Sequence, residues 1–158
     1  MPLDRSEYTF DNCSIARTLE VIGERWTLLV LREAFYGVRR FDAIQRGTGA
    51  PRNVLTARLK TLVENGVLDR VPYREAGSRQ RYEYKLTPRG LELLPGIIAL
   101  MQWGDRYLAD PDGAPVVVQH RGCGEPVSAV LACAAGHSGL TARETEPAAG
   151  PGARQLSA

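Results

Sequence analysis

A chain of 158 residues, 44% hydrophobic and 24% charged, has the size and composition of one compact soluble domain with a small appendage. No apolar run approaches the length of a membrane span, and residues 1–7 hold no apolar signal core; this predicts a cytoplasmic protein with no membrane partner. A net charge of +2 does not by itself announce nucleic acid, yet residues 39–60 hold Arg39, Arg40, Arg46, Arg52, Arg58 and Lys60 against the single acid Asp42.

Residues 1–12 are polar and read as a flexible arm. A first helix is expected over 13–22, with Ile15, Leu19 and Ile22 on one face, Asn12 or Ser14 as its cap and Gly23 as its stop. A second is expected over 25–36. It is apolar nearly all round from Trp26 to Leu31, as a central buried helix should be. A short third helix fits 40–46, and residues 47–51, rich in glycine, read as a turn. A fourth fits 51–65, with Pro51 in its first turn, Leu55, Leu59, Leu62 and Val63 as its buried stripe, and Asn65-Gly66 as its stop.

A hairpin follows. Residues 68–73 and 81–86 read as strands, the second alternating Tyr82, Tyr84 and Leu86 against Arg81, Glu83 and Lys85, around a polar tip at 75–80. Thr87-Pro88 is a cap with proline at the first helical position, and it opens a long helix to about Leu108 that Pro95-Gly96 should bend. Residues 116–118, 126–133 and 140–143 suggest three short strands. From Glu146 onward the chain is mostly Pro, Gly and Ala and is expected to be disordered.

Three helices, a hairpin and a further helix give the fold class: α+β, a mainly helical winged helix-turn-helix with a hairpin wing and a small β-rich C-terminal appendage over 115–145. In this architecture the second helix of the helix-turn-helix enters the major groove. That helix carries Arg52, Asn53, Thr56, Ala57, Arg58 and Lys60. Asn suits adenine, Arg and Lys suit guanine, and Ala suits the thymine methyl. Arg39 and Arg40 precede the third helix, a natural place for phosphate contacts, and Arg79 and Arg81 at the wing reach toward the minor groove or backbone. Eighteen of the twenty basic residues are Arg, which favours bidentate contacts to phosphate or guanine.

The stretch Cys13-Ser-Ile-Ala-Arg-Thr-Leu-Glu-Val-Ile-Gly-Glu-Arg-Trp26-Thr-Leu-Leu-Val-Leu-Arg-Glu33 resembles the opening of the HxlR family of winged-helix regulators, relatives of the MarR type. Arg39-Arg40-Phe41, Val54 to Lys60, Glu64 to Leu68, Tyr82 to Gly90 and Met101-Gln102-Trp103-Gly104 continue the resemblance in order. It covers residues 13 to about 108. One departure is the turn at 46–52, which replaces an isoleucine-rich entry to the recognition helix. The resemblance implies a homodimer, built by the first and last helices of a domain at 13–109, acting on double-stranded DNA at an inverted repeat, most simply as a repressor. Its effector would be a small ligand or an electrophile.

Cys13 falls where oxidant-sensing members of that family carry their reactive thiol. A helix N-terminus favours thiolate, Arg17 adds to this and Asp11 opposes it. The alternative is a small apolar filler at the dimer contact. No cofactor is expected. His120, Cys123, Cys133 and His137 nevertheless have two-plus-two spacing, which admits a Zn ion, an inert hairpin or a Cys123–Cys133 disulfide; the inert hairpin is the preferred expectation. A relative with a second C-x-x-C pair would hold Cys where Gly136 stands. Two other readings stay open for the whole chain. One is a small thiol or metal enzyme, although residues 14–108 hold neither His nor Cys; the other is a winged-helix module that joins proteins.

Overall fold

The computed structural model describes residues 3–9, 11–77 and 79–156. In chain order the elements are β1 (Tyr8–Thr9), α1 (Ser14–Ile22), α2 (Arg25–Phe35), α3 (Phe41–Thr48), α4 (Arg52–Glu64), β2 (Leu68–Tyr73), β3 (Arg81–Leu86), α5 (Pro88–Leu91), α6 (Leu94–Tyr107) and β4 (Arg154–Gln155). The protein is α+β, with two separate two-stranded antiparallel sheets, β2–β3 and β1–β4.

The core forms where α2, α3, α4 and the wing meet. Val30 and Leu31 of α2 pack with Ile44 of α3, Leu55, Leu59 and Leu62 of α4, and Val67 and Leu68 at the start of β2. The 55, 59, 62 spacing is one stripe of a helix, so α4 buries one face and leaves the other in solvent. Asn65-Gly66 ends it as expected. Gly66 takes a left-handed φ of +67°, and the Val67 N–H reaches back to the Leu62 carbonyl at 2.9 Å. The wing strands pair in register from Leu68 opposite Leu86 to Tyr73 opposite Arg81. Arg39 and Arg40 extend this sheet: the Tyr84 N–H donates to the Arg39 carbonyl at 2.8 Å, and Arg40 bridges Glu83.

Several boundaries depart from the sequence reading. The third helix continues through Gly47 to Thr48, and only residues 49–51 form the turn. The reason lies in α2. A Cβ on Gly47 would stand 2.3 Å from Glu33 Oε2, so glycine here serves helix packing, and the left-handed turn residue is Gly49 at φ +71°. The long C-terminal helix is two helices, broken at Glu92-Leu93 upstream of Pro95. Proline lacks the N–H that would bond to Leu91, and its ring displaces that carbonyl, so the break falls a turn before the proline. Thr87 caps α5 as expected. Its hydroxyl accepts from the Gly90 N–H at 3.0 Å and donates to the Gly66 carbonyl at 2.7 Å.

In place of three C-terminal strands, residues 115–145 carry two isolated bridges, Gln119 to Pro126 and Ala132 to Ser138. Too few side chains there are buried to sustain a ladder. The segment leans on α6, where the Gln102 side chain donates to the Val127 carbonyl at 2.8 Å and accepts from the Ala129 N–H at 3.0 Å. The arm and the tail, expected to be flexible and disordered, pair with each other. Tyr8 and Thr9 face Gln155 and Arg154, the Asn12 side chain donates to the Gly152 carbonyl at 2.8 Å, and Arg154 meets Asp11 at 2.8 Å. Met1, Pro2, Phe10, Ser157 and Ala158, and Ser78 in the expected wing tip, lie outside the described residues.

Candidate nucleic-acid interface

The exposed face of α4 follows from its buried stripe. Arg52, Asn53, Thr56, Ala57 and Lys60 all lie in solvent, on the side away from Leu55 and Leu59. Two of these side chains have partners within α4 itself. The Thr56 hydroxyl donates to the Arg52 carbonyl at 2.9 Å, and Lys60 pairs with Glu64 one turn on at 3.6 Å.

Beside the start of α4, an open cleft of about 480 Å³ separates α3 from the wing. Arg40, Arg46, Arg52 and Arg81 line it, against the single acid Asp42. Three of the cationic groups near it lie over aromatic rings. Arg52 stands 4.7 Å from the Phe41 centroid, Arg40 4.8 Å from Tyr73, and Arg70 3.5 Å from Tyr82. Arg52 also meets Asp42 at 3.6 Å, and Arg40 meets Glu75 at 2.8 Å. Glu83 stands behind Arg39 and Arg40. Its hydrogen bond from Lys85 holds its carboxyl below the ordinary glutamate range, and the charges of Lys85, Arg39 and Arg40 act in the same direction.

Arg40, Arg52 and Arg81 thus share this cleft, Arg39 stands beside it next to Glu83, and Asn53, Thr56, Ala57 and Lys60 share the outer face of α4. Arg79 is exposed toward the wing tip. Arg58 is a correction. It turns toward the head of α2, where its guanidinium lies 3.9 Å from Glu24, with its side chain only 29% exposed and its Nε buried without a hydrogen bond. A helical wheel places Arg58 between faces and does not show that Glu24 waits there. Sequence reasoning missed Arg46, although its place four residues after Asp42 on the same helix face was the available signal.

Cys13 is the N-cap of α1 and not a residue of its first turn. It is half-buried and lines a cavity of about 330 Å³ with Tyr8, Asn12 and, from the tail, Ala148, Gly150 and Gly152. Neither Asn12 nor Ser14 is the cap, since Cys13 holds that position without a side-chain hydrogen bond, and the Asn12 side-chain N–H donates to the Gly152 carbonyl. In the C-terminal segment, His120 Nδ1 lies 3.2 Å from Cys123 Sγ, and His137 Nδ1 lies 3.2 Å from Cys133 Sγ. Among the described residues no three His, Cys, Asp or Glu side chains converge as a metal group. No helix among them is long and apolar enough to cross a membrane.

A helix-turn-helix built on a central α2, with a hairpin wing beside an arginine-lined cleft, defines a winged helix-turn-helix DNA-binding protein. It matches the HxlR-like helix-turn-helix family over residues 21–112, and the chain belongs to that family. It is 47% identical over 152 residues to the HTH-type transcriptional regulator Rv3095 of Mycobacterium tuberculosis, covering 96% of this chain and 95% of that one. Among solved structures it resembles PA1607, a putative transcription factor, at a TM-score of 0.75 and 40% identity, covering 87% of this chain and 95% of that one. The redox regulator HypR in its reduced form aligns at a TM-score of 0.53 and 28% identity, over 58% of this chain and 90% of that one. The protein is a transcriptional regulator and not an enzyme.

Proposed function

We propose that the protein acts as a homodimeric repressor that reads an inverted-repeat operator. The observation that carries this is the presence of two exposed surfaces on one chain. The outer face of α4 carries the polar and basic side chains suited to base edges. The apolar side chains Ile15 and Leu19 of α1, with Leu100, Trp103 and Tyr107 of α6, stand in solvent, as a monomer seldom allows. A two-fold contact through α1 and α6 sets two recognition helices on one side of a duplex. Arg40, Arg52 and Arg81 hold the phosphates, while Asn53, Thr56, Ala57 and Lys60 address bases. Footprinting tests it: two protected half-sites about one helical turn apart, or a small multiple, are expected. A protein that ignores duplex DNA sequence refutes it.

A second reading concerns the effector. Cys13 caps the helix that carries the Ile15–Leu19 face, so an adduct on its sulfur disturbs the dimer contact directly. The redox-regulator likeness of HypR supports a thiol response over a non-covalent ligand. Diamide or a quinone should release wild type from DNA and leave Cys13→Ser bound; equal behaviour of the two proteins removes Cys13 from the mechanism and leaves a non-covalent ligand as the better reading.

A further inference from the structure

The cations of the cleft between α3 and the wing are of two kinds. Arg52 meets Asp42 at 3.6 Å and lies over Phe41, and Arg40 meets Glu75 at 2.8 Å and lies over Tyr73. Arg46 and Arg81 line the same cleft and are exposed. Among the described residues neither of these two side chains has an ion pair, a hydrogen bond or a ring against it. Asp42 stands four residues before Arg46 on α3, the spacing of a helical ion pair, yet its carboxylate turns to Arg52 instead. Arg46 therefore brings an unmatched charge to the cleft.

The backbone that carries each of the two is held in place. Arg46 lies in the last turn of α3, next to Gly47, whose carbonyl accepts from the Arg32 guanidinium at 2.8 Å. Arg32 in turn meets Glu33 at 2.6 Å, and Glu33 is the buried residue against which Gly47 packs. Arg81 opens β3 in register with Tyr73. The Tyr84 N–H, bonded to the Arg39 carbonyl at 2.8 Å, ties that strand to the residues that lead into α3. The cleft thus has one unpaired arginine on each wall, with the walls tied together.

The helix dipole favours a cation at Arg46, but that pull ends within the last turn of α3 and asks nothing of Arg81. What the cleft lacks is negative charge, since four arginines line it against Asp42 alone. A group that satisfies both walls is anionic, offers acceptor oxygens on two sides, and fits a channel open to solvent. A phosphodiester meets all three demands: its two non-bridging oxygens point apart, each suits a planar guanidinium, and its chain runs on at both ends. We propose that Arg46 and Arg81 clamp one phosphodiester of the DNA strand that passes the cleft, Arg46 from α3 and Arg81 from the wing, so that a single phosphate fastens the wing to the helix-turn-helix. This rests on the docking of α4 proposed above and adds Arg46 to its backbone contacts. Arg40 and Arg52 must each release a carboxylate to reach DNA, whereas Arg46 and Arg81 have none to release.

The test uses the full chain and a mixed-sequence DNA duplex, on which backbone contacts supply nearly all of the affinity. Arg46→Ala and Arg81→Ala should each weaken binding about tenfold at low salt, the loss of one charge-assisted contact. The double variant should bind about as weakly as either single one, because the remaining arginine alone closes no clamp. Arg46→Ala combined with Lys60→Ala, on the outer face of α4, should instead multiply the two single losses. Thermal melting of Arg46→Ala and Arg81→Ala should match wild type, since both side chains stand in solvent. An Arg46→Ala protein that binds like wild type overturns the clamp. So do Arg46 and Arg81 losses that multiply, or a loss of binding that comes with a lowered melting temperature. A wild-type protein that ignores the duplex fails differently: it overturns the docking of α4 itself, and the clamp with it.

Discussion

Trp103→Glu on α6 tests the dimer most directly. Trp103 is 57% exposed, and its ring lies 5.4 Å from that of Tyr107, tilted by 52°, so the two form one aromatic ridge facing solvent. A buried aromatic side chain covers about 150–250 Å². The exposed part of Trp103 is thus roughly 100–140 Å², and a two-fold contact covers it twice. At about 25 cal/mol per Å², full coverage is worth about 6 kcal/mol, and half coverage about 3 kcal/mol. The variant loses that and sets a carboxylate against the apolar side chains of α1 and α6. Since 1.4 kcal/mol is tenfold, the dimer dissociation constant should rise at least a hundredfold. Sedimentation across a dilution series reads this, and Trp103→Phe should stay close to wild type. The monomer should keep its fold, because the side chain is on the surface, and should bind an inverted repeat no better than a single half-site. A Trp103→Glu protein that dimerises like wild type refutes the assignment of this face.

Three further outcomes are expected. Arg40→Ala and Arg81→Ala should weaken binding to all sequences alike and lower the salt slope of log K by about 1 each, whereas Asn53→Ala should cost roughly 1–3 kcal/mol on the operator alone; competition binding at several salt concentrations separates the two patterns. Arg58→Ala should change thermal stability while keeping operator preference, because its half-buried side chain turns toward Glu24; a relaxed footprint with unchanged melting would place Arg58 in the groove after all. Glu83 is a carboxylate whose folded pKa is depressed, so its contribution is present above the ordinary glutamate value and lost as pH falls through the lower folded value. Glu83→Gln should therefore remove that acid limb from the stability profile, and should tighten DNA binding at neutral pH by freeing Arg39 and Arg40 from an opposing charge.

Much of this architecture was legible because it rests on local rules. The leucine stripe of α4, the Asn65-Gly66 stop, the Thr87-Pro88 cap and the hairpin of β2 and β3 each show within a few residues, although the expected alternation of β3 does not appear in its burial. What stayed hidden depends on partners far along the chain. Gly47 looks like a turn residue until Glu33 of α2 is seen against it. Arg58 looks like a groove residue until Glu24 is seen beside it. The pairing of Tyr8–Thr9 with Arg154–Gln155 joins the two ends of the chain, and no periodicity in a tail of Pro, Gly and Ala announces it.

The acids near the cleft bear on how such an interface binds. Asp42 and Glu75 hold Arg52 and Arg40 in the free protein, and Phe41 and Tyr73 support the same guanidinium planes. Exposed ion pairs of this kind are worth about 0–1 kcal/mol, so exchanging a carboxylate for a phosphate costs little. What the pairs do provide is position: each long side chain is held near its ring before DNA arrives, and less rotamer entropy is lost on docking. The base-facing residues are arranged otherwise. Asn53 and Ala57 are short, sit on a helix whose opposite face is locked by Leu55 and Leu59, and need no carboxylate to orient them. On the proposed reading, backbone contacts would rest on flexible side chains steadied by acids and rings, and readout by Asn53 and Ala57 would rest on short side chains steadied by the core. The two classes should respond differently to salt, which screens the first and leaves the second nearly untouched.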